Sequence, residues 1–131
     1  MKIHIYFDII SAPMNKEIVN TFVDLYYQNL NTQNYERLSN HLKDSSTFVR
    51  DLSEWKGGPS IVNFLQTTSL SYQPIKMNVL INGDRRANVL VSGKVKDDKT
   101  QMIVPFTEYI LLSFSNQKEY WIHTSILHTI V

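Results

Sequence analysis

The sequence contains no cysteine. That removes disulfides, thiolate nucleophiles and every cysteine-containing metal site at once, and it suits a reducing compartment. Charge is also scarce. Charged residues make up 19% of the 131, and 13 Lys+Arg against 12 Asp+Glu leave a formal charge of +1. Soluble domains carry about 25% charged residues on average. A near-neutral chain does not grip a nucleic-acid backbone or an anionic membrane by bulk electrostatics. No apolar run approaches the ~20 residues that a membrane-spanning helix needs. Repeats, low-complexity tracts and linkers are absent as well. What is abundant is apolar surface: 43% of the residues are hydrophobic, enough for one domain with a sizeable core. Few charges on so small a domain suggest that part of the surface is reserved for a partner.

Residues 1–13 alternate, with Ile3, Ile5, Phe7 and Ile9 against Lys2, His4, Tyr6 and Asp8. That period predicts a half-buried edge strand or docking arm, and Asp8 and Pro13 argue against a signal peptide. The domain proper is expected over 14–131. Asn15 is a suitable N-cap for a helix of about four turns with Ile18, Phe22, Leu25 and Tyr26 on one stripe. Asn34 caps a short second helix bearing Leu38 and Leu42. Two short strands follow, through Phe48 and Trp55, and Pro59 opens a third helix containing Ile61, Phe64 and Leu65. From Tyr72 onward four long β-type runs are separated by hairpin chemistry at 82–84, 97–100 and 115–117. Helices first and strands last predict an α+β fold: about three N-terminal helices on one face of a strongly curved, mainly antiparallel sheet, plus the N-terminal strand or arm.

The run Gln101–Phe114 is apolar on both of its alternating faces. Val104, Phe106, Glu108, Ile110 and Leu112 form one row, and Ile103, Pro105, Thr107, Tyr109 and Leu111 the other. Both faces are therefore expected to be covered, one by helices and the other by another protein. Pro105 lacks a ladder donor and predicts a bulge or a locally edge-like position.

Several stretches then resemble the nuclear transport factor 2-like superfamily, a cone-shaped α+β fold. They are FVDLYY at 22–27, Trp55–Gly57 followed by Ile61 and Val62, VSGKVK at 91–96, FTEYIL at 106–111 and YWIH at 120–123. The resemblance covers about 17–128 and is closest to the nuclear transport branch. It implies a non-enzymatic transport module that heterodimerises with a large mRNA-export receptor and helps present sites for FG-repeat nucleoporins. Such a module resides in the nucleus and cytoplasm, at nuclear pores, and meets RNA only through its partner. The alternative implied is a homodimeric carrier of Ran-GDP. The carrier's acidic rim positions match Asp51, Asp98 and Thr100 here, and Arg50 falls where it has tryptophan.

The resemblance also places the row Val104, Phe106, Glu108, Ile110 and Leu112 on the outer, pairing face of the sheet, with Glu108 where relatives usually carry Gln. On that placement Glu108 would repel its copy in a homodimer and select a different partner. Ser125, Leu127 and His128 depart from the family pattern of Asp, Phe and Arg in the last strand. A second alternative is a small cavity enzyme of isomerase or dehydratase type, with Tyr26, Tyr27, Asp51, Glu108 and His123 as candidate acid/base groups. These five form no spacing diagnostic of a reaction. His4, His41, His123 and His128 are scattered without the carboxylates a metal site needs, so neither metal nor cofactor is expected.

Overall fold

In the computed structural model, residues 14–83, 85–115 and 119–130 are described, and the predicted N-terminal arm lies outside them. Helix α1 spans Lys16–Asn31 and starts where Asn15 Oδ1 accepts from Ile18 N at 2.9 Å. Glu17 in its first turn complements the helix dipole. Its buried stripe runs Ile18, Val19, Phe22, Val23, Tyr26, Tyr27 and Leu30, the positions that a 3.6-residue period predicts. Helix α2 (Tyr35–Ser39) is capped by the Asn34 side chain, which accepts from Arg37 N.

Strands β1 (Thr47–Arg50) and β2 (Ser53–Lys56) form a hairpin whose turn puts Asp51 at φ 54°. Gly57, at φ 90°, then turns the chain into helix α3 (Gly58–Gln66), with Pro59 in the first turn. Side chains rarely adopt that backbone conformation, which accounts for glycine at 57. The four long strands are β3 (Leu70–Asn82), β4 (Arg86–Asp97), β5 (Ile103–Phe114) and β6 (Tyr120–Thr129).

The sheet has six strands in the order β2-β1-β6-β5-β4-β3. All neighbours are antiparallel except β1 and β6, which run parallel. Helix α1 packs across the sheet, and the core between them holds Phe48, Phe106, Ile110, Leu112 and Ile122. Pro105 takes the edge-like option. Its carbonyl accepts from Ile130 N at 2.9 Å, just beyond the last paired β6 residue, so its missing N–H falls at the end of the β5–β6 ladder and interrupts no interior pair.

Two irregularities shape the sheet. Between Pro74 and Lys76 the β3–β4 register shifts by one residue. There the backbone of β3 crosses close over Gly93, so that a Cβ on residue 93 would lie 2.1 Å from Gln73 O and 2.9 Å from Pro74 Cα. Opposite Leu111 and Leu112, β6 accommodates an extra residue at His123. Side chains before and after a bulge change faces relative to strict alternation. Gly93→Ala should cost at least about 2 kcal/mol in urea denaturation, since the contact is with backbone and cannot be relieved by a rotamer change.

Candidate functional site

The row predicted to face outward faces inward. Phe106, Glu108, Ile110 and Leu112 are each 0–1% exposed and belong to the interior between sheet and helices; Val104, half-buried, packs against the same core. The physical reason is Glu108 itself. A carboxylate in an apolar row must find donors, and α1 supplies them on the inner side. Tyr26 Oη donates to Glu108 Oε2 at 2.6 Å, and Tyr27 Oη donates to Oε1 at 2.7 Å. Ser125 Oγ donates to Oε2, and Arg50 Nη2 lies 3.5 Å from the same oxygen. Glu108 therefore sits on no pairing face and selects no partner.

The four donors come from three separate elements. Tyr26 and Tyr27 are adjacent on α1, so one hydroxyl reaches each carboxylate oxygen. Arg50 is the last residue of β1, on the same face as buried Phe48, and its guanidinium carbon stands 4.7 Å from the Phe48 ring centroid. Its Nη1 donates to Ser125 Oγ at 2.9 Å and to Val49 O at 3.1 Å, while Nη2 donates to Tyr26 Oη at 3.3 Å. Arg50 Nε is the buried side-chain polar atom that lacks a partner among the described residues. Arg50 is thus a core residue, not a rim cation beside Asp51. Ser125 enters the inner row because the His123 bulge resets the alternation of β6.

Burial dominates the electrostatics. It holds the hydroxyls of Tyr26 and Tyr27 well above the ordinary tyrosine value, and the Glu108 charge beside them pushes the same way. Tyr72 is pushed up to about 12 by burial, against a lowering by Arg50. Tyr120 is likewise pushed up to about 12 by burial. For Arg50, burial acts to lower its proton affinity, but Tyr26 and Glu108 outweigh it and the net direction is upward.

The remaining candidates do not join this cluster. His123 is half-exposed on the opposite face, its Nδ1 2.7 Å from Thr124 Oγ1 and its ring 5.4 Å from that of Trp121. Asp51 is exposed and accepts from Thr129 N at 3.1 Å. Asp98 is exposed in the β4–β5 turn and accepts from Ser71 Oγ at 3.0 Å. The register brings these two aspartates to the same end of the sheet, since Asp51 follows β1 beside the end of β6, which in turn meets the start of β5. Ser125 and Arg50 are the members of the cluster that the sequence reading missed as such. Alternation in Thr47–Arg50, which puts Arg50 on the face of Phe48, was the available signal for one; nothing in the sequence announces the bulge that delivers the other.

Beside Tyr26 there is a cavity of about 10 Å³ lined by Phe22, Asn29, Leu38, His41 and Ile122, room for about one water. Among the described residues no group of His, Asp and Glu is placed to hold a metal ion. Chemically, the arrangement can hold a buried carboxylate charge in place and tie four elements together.

With fold and interior defined, comparison with known proteins gives the family. Residues 18–129 match the Nuclear transport factor 2 (NTF2) domain, and the chain belongs to that family. Among solved structures, it is similar to nuclear transport factor 2 from Cryptosporidium parvum, with a TM-score of 0.75 and 19% identity over 85% of this chain and 90% of that one. It is also similar to the yeast UBP3-associated protein Bre5, with a TM-score of 0.72 and 16% identity over 86% of this chain and 93% of the other. A putative scytalone dehydratase from Novosphingobium aromaticivorans has a TM-score of 0.74 and 12% identity over 86% and 82% of the two chains. At these identities the likeness is one of fold. No curated protein gives a significant match.

Two predictions follow from the cluster. Arg50→Met leaves Glu108 without its cation and should cost about 3–5 kcal/mol in urea unfolding. Adding Glu108→Gln should then recover at least about 1 kcal/mol, since an amide is cheaper to bury; a double-mutant cycle reads this coupling directly. The tyrosines give the second. Their folded pKa values lie above the unfolded value of about 10, so their stabilisation is complete below that pH and is lost progressively as pH rises from there through the folded values. Absorbance of tyrosinate should show Tyr26, Tyr27, Tyr72 and Tyr120 ionising only as the fold is lost.

Proposed function

We propose that this chain is a non-enzymatic, protein-binding member of the family. Its specific role would be a nucleocytoplasmic transport module that pairs through the outer face of its sheet with the corresponding domain of a large mRNA-export receptor. The observation that carries this reading is the contrast between the two faces. Glu108 and its donors occupy the inner side, while the outer face keeps a contiguous row of apolar area in contact with water. There Leu80 and Leu90 are 62% and 50% exposed, and Tyr109, Leu111 and Ile126 are half-exposed beside them in register. A row of this kind across neighbouring strands is what a second sheet covers in stable associations. Ile103, also on this face, is 58% exposed.

The transport role, the nuclear and cytoplasmic location and the contact with FG-repeat nucleoporins come with the family's transport branch. RNA would be met only through the partner. No helix among the described residues is long and apolar enough to cross a membrane. The enzyme alternative draws on Tyr26, Tyr27 and Glu108, but a reactant would have to displace the packing that surrounds a fully buried carboxylate. The Ran-GDP carrier alternative has one observation in its favour, the placement of Asp51 and Asp98 at the same end of the sheet. Against it, both carboxylates already accept hydrogen bonds from this chain, from Thr129 and Ser71.

Co-expression with the receptor's matching domain should give a 1:1 complex by light scattering. Leu90→Asp should weaken that complex at least about 100-fold while leaving thermal stability unchanged, the effect of a charge placed in the centre of an interface. A stable homodimer that retains Ran-GDP in a pull-down, and ignores the receptor domain, would favour the carrier instead.

A further inference from the structure

Across strands β3 to β6 the outer face of the sheet carries cations and no carboxylate; the exposed acid of the outward rows, Glu54, lies on β2 at the far edge, opposite Val49. Strands β3 to β6 contain two carboxylates, Asp97 and Glu108. Both stand in inward rows: Glu108 is in the core, and Asp97 continues the alternation of buried Val91 and Val95 to the turn, where its Oδ1 accepts from Lys99 N at 2.9 Å. The cations fall in the outward rows. Lys76 pairs in register with Ser92, Arg86 with Ser113, Lys94 with Pro105 and Lys96 with Ile103. Lys76, Arg86 and Lys94 are exposed and Lys96 half-buried, and none forms an ion pair among the described residues. Asp98, the nearby acid at the turn, is engaged by Ser71. The cations thus flank the apolar rows of Leu80, Leu90, Tyr109, Leu111 and Ile126 on both sides.

Covering this face removes water from the apolar centre and brings the flanking cations against whatever covers it. Counter-charge opposite them gains attraction, and like charge opposite them costs. A second copy of this chain would bring its own Lys76, Arg86, Lys94 and Lys96 to the same interface and no carboxylate from these strands. We infer that the occupant of this face is a different protein, whose matching surface is apolar at its centre and carries aspartates or glutamates opposite Lys76, Arg86, Lys94 and Lys96. This inference rests on the outer face being the binding face, and adds the charge of the partner to that reading. It also restores partner selection to the sheet through surface cations rather than through Glu108.

An acidic partner of known shape can be made from the chain itself. The full chain carrying Lys76→Glu, Arg86→Glu, Lys94→Glu and Lys96→Glu keeps the apolar rows and reverses the flanks. Its folding is checked by circular dichroism, and Lys94→Glu with Lys96→Glu alone serves where the fourfold variant does not fold. In sedimentation equilibrium at about 20 mM salt, the mixture of wild-type and reversed chains should pair at least about tenfold more tightly than either chain pairs with itself. That preference should shrink at about 500 mM salt, where the Debye length falls to a few ångströms.

A wild-type homodimer as tight as the mixed pair at low salt would overturn the inference in favour of a second copy. A mixture that stays monomeric would also overturn it, as would wild-type chain binding a poly-uridine oligonucleotide in place of the reversed chain. Leu90→Asp in both chains separates the two levels of the reading. If mixed pairing survives it, the outer face is not the binding face and the proposed function falls. If pairing is lost with Leu90→Asp but indifferent to charge reversal, only the acidic partner is wrong.

Discussion

A carboxylate with no exposed surface governs this fold. Glu108 cannot be buried without donors, and the donors it has are far apart in sequence: a tyrosine pair on α1, an arginine closing β1, and a serine on β6. Each of these elements must be in place for the charge to be tolerated. The apolar core would accept a range of packings with similar burial, because hydrophobic contact has little direction. The hydrogen bonds do not, so the network fixes the height and rotation of α1 over the sheet and the parallel docking of β1 onto β6. Arg50 makes the constraint sharper. Its guanidinium bridges Ser125 and Tyr26, so the cation orients two of the hydroxyls that serve the anion.

The same network decides what the cone contains. Relatives of similar fold include a nuclear transport factor and a putative dehydratase, so the architecture alone assigns no chemistry. In this chain interior volume goes to aromatic rings and to a polar network in which Glu108 has donors on both oxygens and Arg50 Nε is left without a partner among the described residues. Tyr27, Tyr72 and Phe106 stand with ring centroids 5.8–6.2 Å apart, and Tyr26 packs against Tyr27 and Phe48. Polar groups that are satisfied by one another have little left to offer a ligand, and surface left apolar on the other side of the sheet becomes the feature that needs explaining.

Much of the fold was legible in the sequence for local reasons. Asn15 and Asn34 are caps because their side-chain oxygens take up free helix N–H groups, and both do so. The stripe on α1, the Pro59 start of α3 and the four strands with their turns likewise follow from period and turn chemistry. The candidate site was harder, because β5 is apolar on both faces and alternation does not say which face is inside. Placing Glu108 outward followed from the family position of a glutamine, and it failed because the requirement for donors is a tertiary fact. His123 and Leu127 share a parity in sequence, yet the bulge sends them to opposite faces. A one-residue register shift leaves no mark in composition, and it is what brings Ser125 to Glu108.

The irregular stretch of β3 at Pro74–Lys76 bears on how a partner could approach the sheet. β3 closes one side of the sheet among the described residues, and a long outer strand is a template onto which a foreign strand can be added. Pro74 has no N–H to offer, the following bulge at Ile75 breaks the spacing of the backbone groups, and Lys76 places a charge there. Growth of the ladder outward is thereby obstructed at its middle. At that margin a partner would be left with stacking, sheet against sheet, in which side chains rather than backbone carry recognition. Gly93, beneath that bulge, lets the obstruction form without pushing the neighbouring strand away.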